Sequence, residues 1–597
     1  MLDSLYASRI QALRQSMAAH GVQACVVLSA DPHLSEYLPD HWAARAWLSG
    51  FEGSAGTLLV TADFAGLWTD SRYWEQADAD LAGTGIQTLR AGAPGVPMPP
   101  DWLAQHLPEG ARVAVDGNTL SVTALRQWQA VLQPCKVAIV TDLDLVAEVW
   151  AGRPALPSAP VYEHMPPYAC RTRMANIQAV REQMQQQGAQ WHWLSSLDDI
   201  AWLLNLRGAD VDYNPVFLAH VLVGADVVRL FIDTTKLDVG LVQALASDGV
   251  LVEPYDAVGG ALACLPESDT VLFDPARVTV KLLAAAAFVQ KLQGDNPSWR
   301  LKACKTPEEI AHVRQAMALD GAALCEFFAW FEAAQGRERI TELTIDEKIT
   351  AARARQPGFV SPSFSTIAAY NANGAMPHYH ATAQSHAVID GDGLLLIDSG
   401  GQYPGGTTDI TRVVPVGQPS AEQKRDYTLV LRGMIALSQA HFPQGILSPL
   451  LDPIARAPLW QAGIEFGHGT GHGVGYFLNV HEGPQSISYR TPPKPSMAMA
   501  VGMITSNEPG VYRPGKWGVR IENLVVCQPA EQTEFGQFLH FETLTLCPID
   551  TRCIVRELLA PAEVDWLNTY HARVRQTLLP LVDGAAREWL VQRTEAI

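Results

Sequence analysis

Four acidic residues in the second half of the chain stand at the edges of apolar, β-like segments, and this narrows the folds open to it. Asp398 ends the run GLLLIDSG, and Asp409 follows the Gly-rich hairpin in GQYPGGTTDITR. Glu508 lies in ITSNEPG and Glu522 in GVRIENLVV. Folding buries segments of this character, and an acid at such an edge then needs a partner, because an unpaired buried charge is very costly. A divalent metal is one solution. A hydrogen-bonded core carboxylate, or a salt bridge to Arg412 or Arg520, is the other. Taken singly, an Asp or Glu ending a strand is more often a turn or cap residue than a ligand.

His472 shifts that balance. The segment HGTGHGVG sets His468 and His472 four residues apart among glycines, which suit close approach of backbone and ligand. It lacks the lysine and strand context of a phosphate-binding loop, and it is not the H-E-x-x-H zinc motif. Four carboxylates with one imidazole make a hard, oxygen-rich set. That composition favours Mn, Co or Zn in a paired arrangement over a structural zinc site, which would use sulfur. Paired ions lower the pKa of a bound water and polarise a carbonyl. Further imidazoles lie close in sequence, His378 in AMPHYH and His481 in NVHEGP. An unperturbed histidine titrates near pKa ~6.5, so each can donate to a tetrahedral intermediate or to a leaving nitrogen. His378 reads equally as a surface-loop residue, and His380 reads preferentially so. Glu482 either orients an imidazole or faces solvent.

The rest of the chain is organised around this region. With 597 residues it is too long for one core. Residues to about 150 alternate helix-like and strand-like stretches: a helix from Ser8 to His20, then VQACVVLS, then two strands in AGTLLVTADFAGLWTD. That rhythm is α/β. PALPSAPVYEHMPP reads as a linker, after which the same rhythm recurs to about residue 300 and suggests duplication. KTPEEI is a clean helix start, with Thr306 as cap, Pro307 in the first turn and Glu309 at the capping-box position. Strands and Gly-rich turns take over from about residue 360, and helix-like segments close the chain and are expected to pack on the region that carries the acids.

Composition excludes some classes. The 43 basic against 62 acidic residues give a net charge of -19, so no nucleic-acid partner is expected. Nine scattered cysteines without a C-x-x-C pair read as ordinary thiols in a reducing compartment, and Cys547 and Cys553, the nearest pair, are not expected to bridge. The first residues carry charges where a signal peptide would be apolar, and no apolar run is long enough to span a bilayer. The expectation is a soluble, cytoplasmic protein with no membrane partner.

Taken together, NGAMPHYH, LLLIDSGGQYPGGTTDITR, HGTGHGVGYFLNVHEGP, ITSNEPGVY and GVRIENLVV resemble the pita-bread metallopeptidase family, most closely its long, three-domain aminopeptidase P branch. EYLPDHWAARAWLSGFEGSAGTLLVT, LWTDSRYWEQA and SSLDDIAWLLNLRGADVDYNPVF are similar to earlier parts of the same proteins. The resemblance implies a mixed α/β and α+β chain: two creatinase-like N-terminal α/β domains at 1–153 and 160–302, a pita-bread catalytic domain at 306–550, and a helical C-terminal extension at 551–597. It implies two divalent metal ions, Mn2+ by family expectation with Zn2+ or Co2+ possible. Asp398 would hold one ion in bidentate fashion, Asp409 and Glu522 would bridge, and His472 and Glu508 would complete the second sphere. Glu508 would also be the general base. His378 and His481 would contact the substrate or its intermediate, His468 would shape the site, and Arg520 would orient carboxylates. The implied activity is release of the N-terminal residue from peptides with proline in the second position, by a homodimer whose first two domains restrict the entrance. DHWAARAWLSGF suits that role, the dimer, or simple helix packing. The alternatives are a prolidase acting on Xaa-Pro dipeptides, a methionine aminopeptidase, which the two extra domains disfavour, and a non-catalytic binding protein, which would be expected to have lost ligands.

Overall fold

The computed structural model describes residues 2–597, and they divide into two compact units. The first holds residues up to Met165 together with Arg171–Ser298, and the second holds Pro166–Cys170 together with Trp299–Ile597.

Two six-stranded sheets build the first unit. One runs, edge to edge, Gln87–Arg90, Ala65–Thr69, Thr57–Thr61, Ala24–Leu28, Arg112–Val115 and Ala138–Val140. The other runs Val250–Pro254, Val228–Ile232, Ala219–Gly224, Trp191–Leu194, Thr270–Phe273 and Gln290–Gln293. Strand order and the sense of every pairing are the same in both: the three central strands are antiparallel, and the outer ones join parallel. The repeated α/β rhythm is therefore a repeated topology. The first helix spans Leu2–Ala19 and starts six residues before the expected Ser8. Ser8 does not cap it; its hydroxyl donates to the Leu5 carbonyl at 2.6 Å, the in-helix alternative open to serine. In DHWAARAWLSGF, Arg45 is buried and donates to Ser29 Oγ and Phe51 O, each at 2.6 Å, and to Gly53 O. This arginine is committed to packing its own helix.

In the second unit the capping box predicted at Thr306 is present: the Glu309 N–H reaches the Thr306 hydroxyl at 3.2 Å and the Glu309 carboxylate accepts from the Thr306 N–H at 2.8 Å. It starts the 28-residue helix Pro307–Ala334. A three-stranded antiparallel sheet pairs Ile367–Tyr370, Gly393–Ser399 and Ile410–Val416. All seven residues of the middle strand are buried, which is why the sequence there is continuously apolar until Asp398. A six-stranded sheet orders His441–Pro443, Gly536–Thr543, Asn523–Thr533, Ile504–Asn507, Gly471–Gly473 and Glu482–Ile487. A separate two-stranded hairpin pairs Gly510–Arg513 with Trp517–Arg520. The closing helices Pro561–Leu578 and Gly584–Arg593 share the core of this unit, with the Trp589 ring stacked on Phe328 at 5.4 Å. All nine cysteines are free, Cys547 and Cys553 included. Among the described residues no helix is long and apolar enough to cross a membrane.

Candidate metal centre

The three-stranded sheet through Gly393–Ser399 and the six-stranded sheet bring acidic residues on and beside their strands to one place. Asp409, His472 and Glu522 each offer a ligand atom within 4.8 Å of the others. Glu508 stands beside them, with Oε1 3.5 Å from His472 Nε2, while Asp409 Oδ2 lies 3.6 Å from the same nitrogen. Asp398 is joined to the group through Arg520, whose Nη2 donates to Asp398 Oδ2 at 2.6 Å. Strand pairing explains the convergence: Asp398 opposes Thr411 across the sheet, and Thr411 both donates its hydroxyl to Glu522 Oε2 at 2.8 Å and accepts the Glu522 N–H at 3.2 Å.

Three observations show that these residues fit a cation. First, His472 Nδ1 can only donate to the Gly473 carbonyl, 2.9 Å away. With Nδ1 so occupied, it is Nε2 that faces two carboxylate oxygens, and lone pairs converging there repel unless a positive charge lies between them. Second, Asp398 Oδ1 and Glu522 Oε1 are buried and have no hydrogen-bond partner among the described residues. Third, the acids push one another toward protonation. Burial, then Asp398 and Glu508, hold Asp409 well above the usual carboxylate range. Burial, then Asp409, Asp398 and Glu508, do the same to Glu522. Burial, with Asp398 adding to it and Arg520 and His481 opposing, pushes Glu508 up to about 7.

The sign of the pH dependence follows. A buried acid with a raised pKa binds its proton more tightly in the folded than in the unfolded chain, so it costs stability as pH rises from its unfolded value through its folded one. Metal-stripped protein is expected to lose stability from about pH 4.5 to 7 through Glu508, and bound metal removes that loss by replacing the protons. Melting with and without a divalent ion checks this: the metal-induced rise in Tm should be larger at pH 8 than at pH 5. An equal rise at both would mean these carboxylates do not hold the ion.

A polar chain runs behind the acids. Arg520 donates through Nη1 to Tyr512 Oη at 2.7 Å, and Tyr512 Oη lies 2.7 Å from His468 Nε2. His468 Nδ1 faces the Gly469 carbonyl at 2.7 Å and must donate to it, so a neutral His468 accepts the Tyr512 O–H at Nε2. Nothing in the sequence singles out Tyr512 except its place in ITSNEPGVY, four residues after Glu508. His481 sits with its ring centroid 4.4 Å from that of His472, nearly perpendicular to it. Glu482 does not face solvent: it is buried and paired with Lys305 and, at 3.6 Å, with Lys302. His378 is half-buried on the loop after the turn Asn371–Ala375, and His380 is exposed, 3.3 Å from Ser365 Oγ. Arg412 is not a partner for the acids' side chains. It donates to the carbonyls of Glu522, Cys547 and Pro548, and to Asn523 Oδ1 and Tyr570 Oη.

Residues 311–529 match metallopeptidase family M24, and 537–597 match the C-terminal region of that peptidase. Residues 9–149 and 152–309 each match the creatinase/prolidase N-terminal domain. Aminopeptidase P2 of Arabidopsis thaliana is 38% identical over 97% of this chain and 86% of its own length. Xaa-Pro aminopeptidase 1 of Dictyostelium discoideum is 36% identical over 96% of this chain and 93% of its own. The chain belongs to the three-domain aminopeptidase P family. The crystal structure of the X-prolyl aminopeptidase of Caenorhabditis elegans, 32% identical, superposes over 99% of this chain and 100% of that one with a TM-score of 0.94. As a member of the aminopeptidase P family the chain carries two creatinase-like domains, a pita-bread catalytic domain with its C-terminal extension, and a metal site of Asp, His and Glu.

Proposed function

We propose that this protein is a dinuclear metallopeptidase that removes the N-terminal residue from peptides whose second residue is proline. The reading is carried by one observation: Asp409, His472 and Glu522 converge with Glu508 in a largely buried centre inside a chain collinear with aminopeptidase P relatives along almost its whole length. Asp398, Asp409, His472, Glu508 and Glu522 would hold the ions. The donors are oxygen and imidazole nitrogen without thiolate, which suits manganese and also admits zinc or cobalt. When bound, the ions supply a nucleophilic water at neutral pH and a Lewis acid for the scissile carbonyl.

The chain's own groups do the rest. Glu508 is the general base and carries the proton toward the leaving proline nitrogen. Its carboxylate is held by Ser506, which donates to Oε1 at 3.3 Å and in turn accepts the backbone N–H of His472 at 2.9 Å, so one hydroxyl ties the base to the backbone that carries the imidazole. Arg520 fixes Asp398 and Tyr512 together, and the Tyr512 hydroxyl holds the ring of His468 by its Nε2. His378 and His481 contact the substrate or donate to the charge that develops on its carbonyl oxygen, where a preorganised donor has its largest effect. An Xaa-Pro bond has no N–H on the scissile nitrogen, so peptidases that bind that N–H handle it poorly and a dedicated pocket is needed. In this reading the enzyme works as a homodimer, as the resemblance implies.

The test is cleavage by metal-stripped protein with and without added Mn2+, on Xaa-Pro, Xaa-Pro-Xaa and Xaa-Ala-Xaa peptides, with products read by mass. Mn2+-dependent release of the first residue from Xaa-Pro-Xaa, with Xaa-Ala-Xaa intact, is expected. Turnover confined to the dipeptide would make the protein a prolidase, and no turnover with any divalent ion would refute the enzymatic reading.

A further inference from the structure

Glu342 is completely buried at the start of the helix Glu342–Ala354, and its carboxylate gathers hydrogen bonds from four points of a distant segment. Oε1 accepts from the Tyr370 N–H at 2.7 Å and from Asn373 Nδ2 at 2.9 Å. Oε2 accepts from the Tyr379 hydroxyl at 2.9 Å and the Ala387 N–H at 2.6 Å, with Asn373 Nδ2 at 3.1 Å. The backbone joins in, since the Glu342 N–H donates to the Ala387 carbonyl at 3.1 Å. A buried carboxylate is tolerated when its lone pairs are filled, and the helix N-terminus favours its charge.

This carboxylate fastens an excursion of the chain. The backbone leaves its strand at Tyr370 and comes back beside Glu342 at Ala387, and both points are tied to this carboxylate. Midway, Tyr379 is buried and pinned to the same group, between His378 and His380. The excursion has no strand pairing of its own beyond the short turn Asn371–Ala375. The Tyr379 hydroxyl is where this anchor meets the chain beside His378.

We propose that Glu342, acting through the Tyr379 hydroxyl, is a positioning residue for the reaction: it sets His378 against the substrate. This rests on the assignment of His378 to the substrate. Neither Glu342 nor Tyr379 touches the reacting atoms. Their contribution is the orientation of a donor, where a displacement of about 1 Å can cost up to about a hundredfold in rate.

A double-mutant cycle on the metal-loaded, full-length enzyme tests it, using Tyr379→Phe, His378→Ala and the two combined on an Xaa-Pro-Xaa peptide. Tyr379→Phe is expected to lower kcat about tenfold with KM and metal stoichiometry unchanged, and to have no further effect once His378 is alanine. Amide exchange in residues 371–386 should quicken in the same variant, and Glu342→Gln should follow the same pattern more strongly. If Tyr379→Phe leaves kcat unchanged while His378→Ala slows the reaction, the positioning role is wrong and the assignment of His378 stands. The positioning role is equally wrong if the two losses multiply. If His378→Ala is silent, the assignment itself fails and the proposal falls with it.

Discussion

Replacing Glu508 with glutamine should lower kcat/KM on an Xaa-Pro-Xaa peptide by about a thousandfold or more, the scale of a lost general base combined with a weakened metal ligand. The amide keeps the side chain's shape and can still accept from Ser506. What it loses is the charge and the capacity to take a proton. The same substitution should act in the opposite direction on stability. In the metal-free protein Glu508 is one of several buried acids that raise one another's pKa, so neutralising it relieves repulsion. Metal-stripped Glu508→Gln should therefore melt above metal-stripped wild type at pH 8, where the wild-type carboxylate is ionised, and the gap should close toward pH 5. An inactive variant with greater stability is the signature of a residue kept for function. Activity within about threefold of wild type would remove Glu508 from the mechanism.

The second large effect concerns a residue with no side chain. A Cβ on Gly471 would overlap the carbonyl oxygen of Ser506 on the neighbouring strand. Backbone cannot yield as a flexible side chain can, so Gly471→Ala must push the two strands apart. Ser506 is the residue whose hydroxyl holds both the His472 N–H and Glu508, so the displacement reaches two metal-site residues at once. Metal affinity is expected to fall by about 10- to 100-fold, the range seen when groups supporting a ligand are disturbed, and kcat/KM by about 100-fold. Gly469→Ala, in the same loop, is the comparison. Its Cβ would meet Ser488 Cβ at 3.3 Å, a contact that a small shift relieves, and it should keep most of the activity. Equal losses in the two variants would show that the loop needs glycine for flexibility rather than for the close approach at one position.

Much of this site could be read from the chain because its constraints are local. Asp398 ends a strand buried on both faces, so the sequence is apolar up to the point where the charge appears. The glycines around His468 and His472 announce close backbone approach, and Gly471 shows which backbone is approached. Thr306, Pro307 and Glu309 specify a helix start within four residues. The parts that stay hidden depend on partners far away in sequence. Tyr512 looks like any β-strand aromatic until hairpin register brings it beside Arg520. Glu342 looks like an ordinary acid in a first helical turn, yet its donors lie 28 to 45 residues on. Glu482 leaves two readings open in the sequence, and only the fold brings Lys302 and Lys305 to it across some 180 residues. The early start of the first helix is hidden for a different reason: Ser8, the expected start, lies inside it and bonds back to the Leu5 carbonyl.

Arg412 binds the carbonyl of Glu522 with one hand and, with the other, the Cys547 and Pro548 carbonyls and the hydroxyl of Tyr570. Tyr570 belongs to the helix Pro561–Leu578. The closing helices are thus the abutment against which the last metal-site residue leans. Anyone trimming this protein to a minimal enzyme would find that a cut near residue 550 undermines the span it was meant to isolate, and that the smallest working unit takes in sequence with no catalytic side chain of its own.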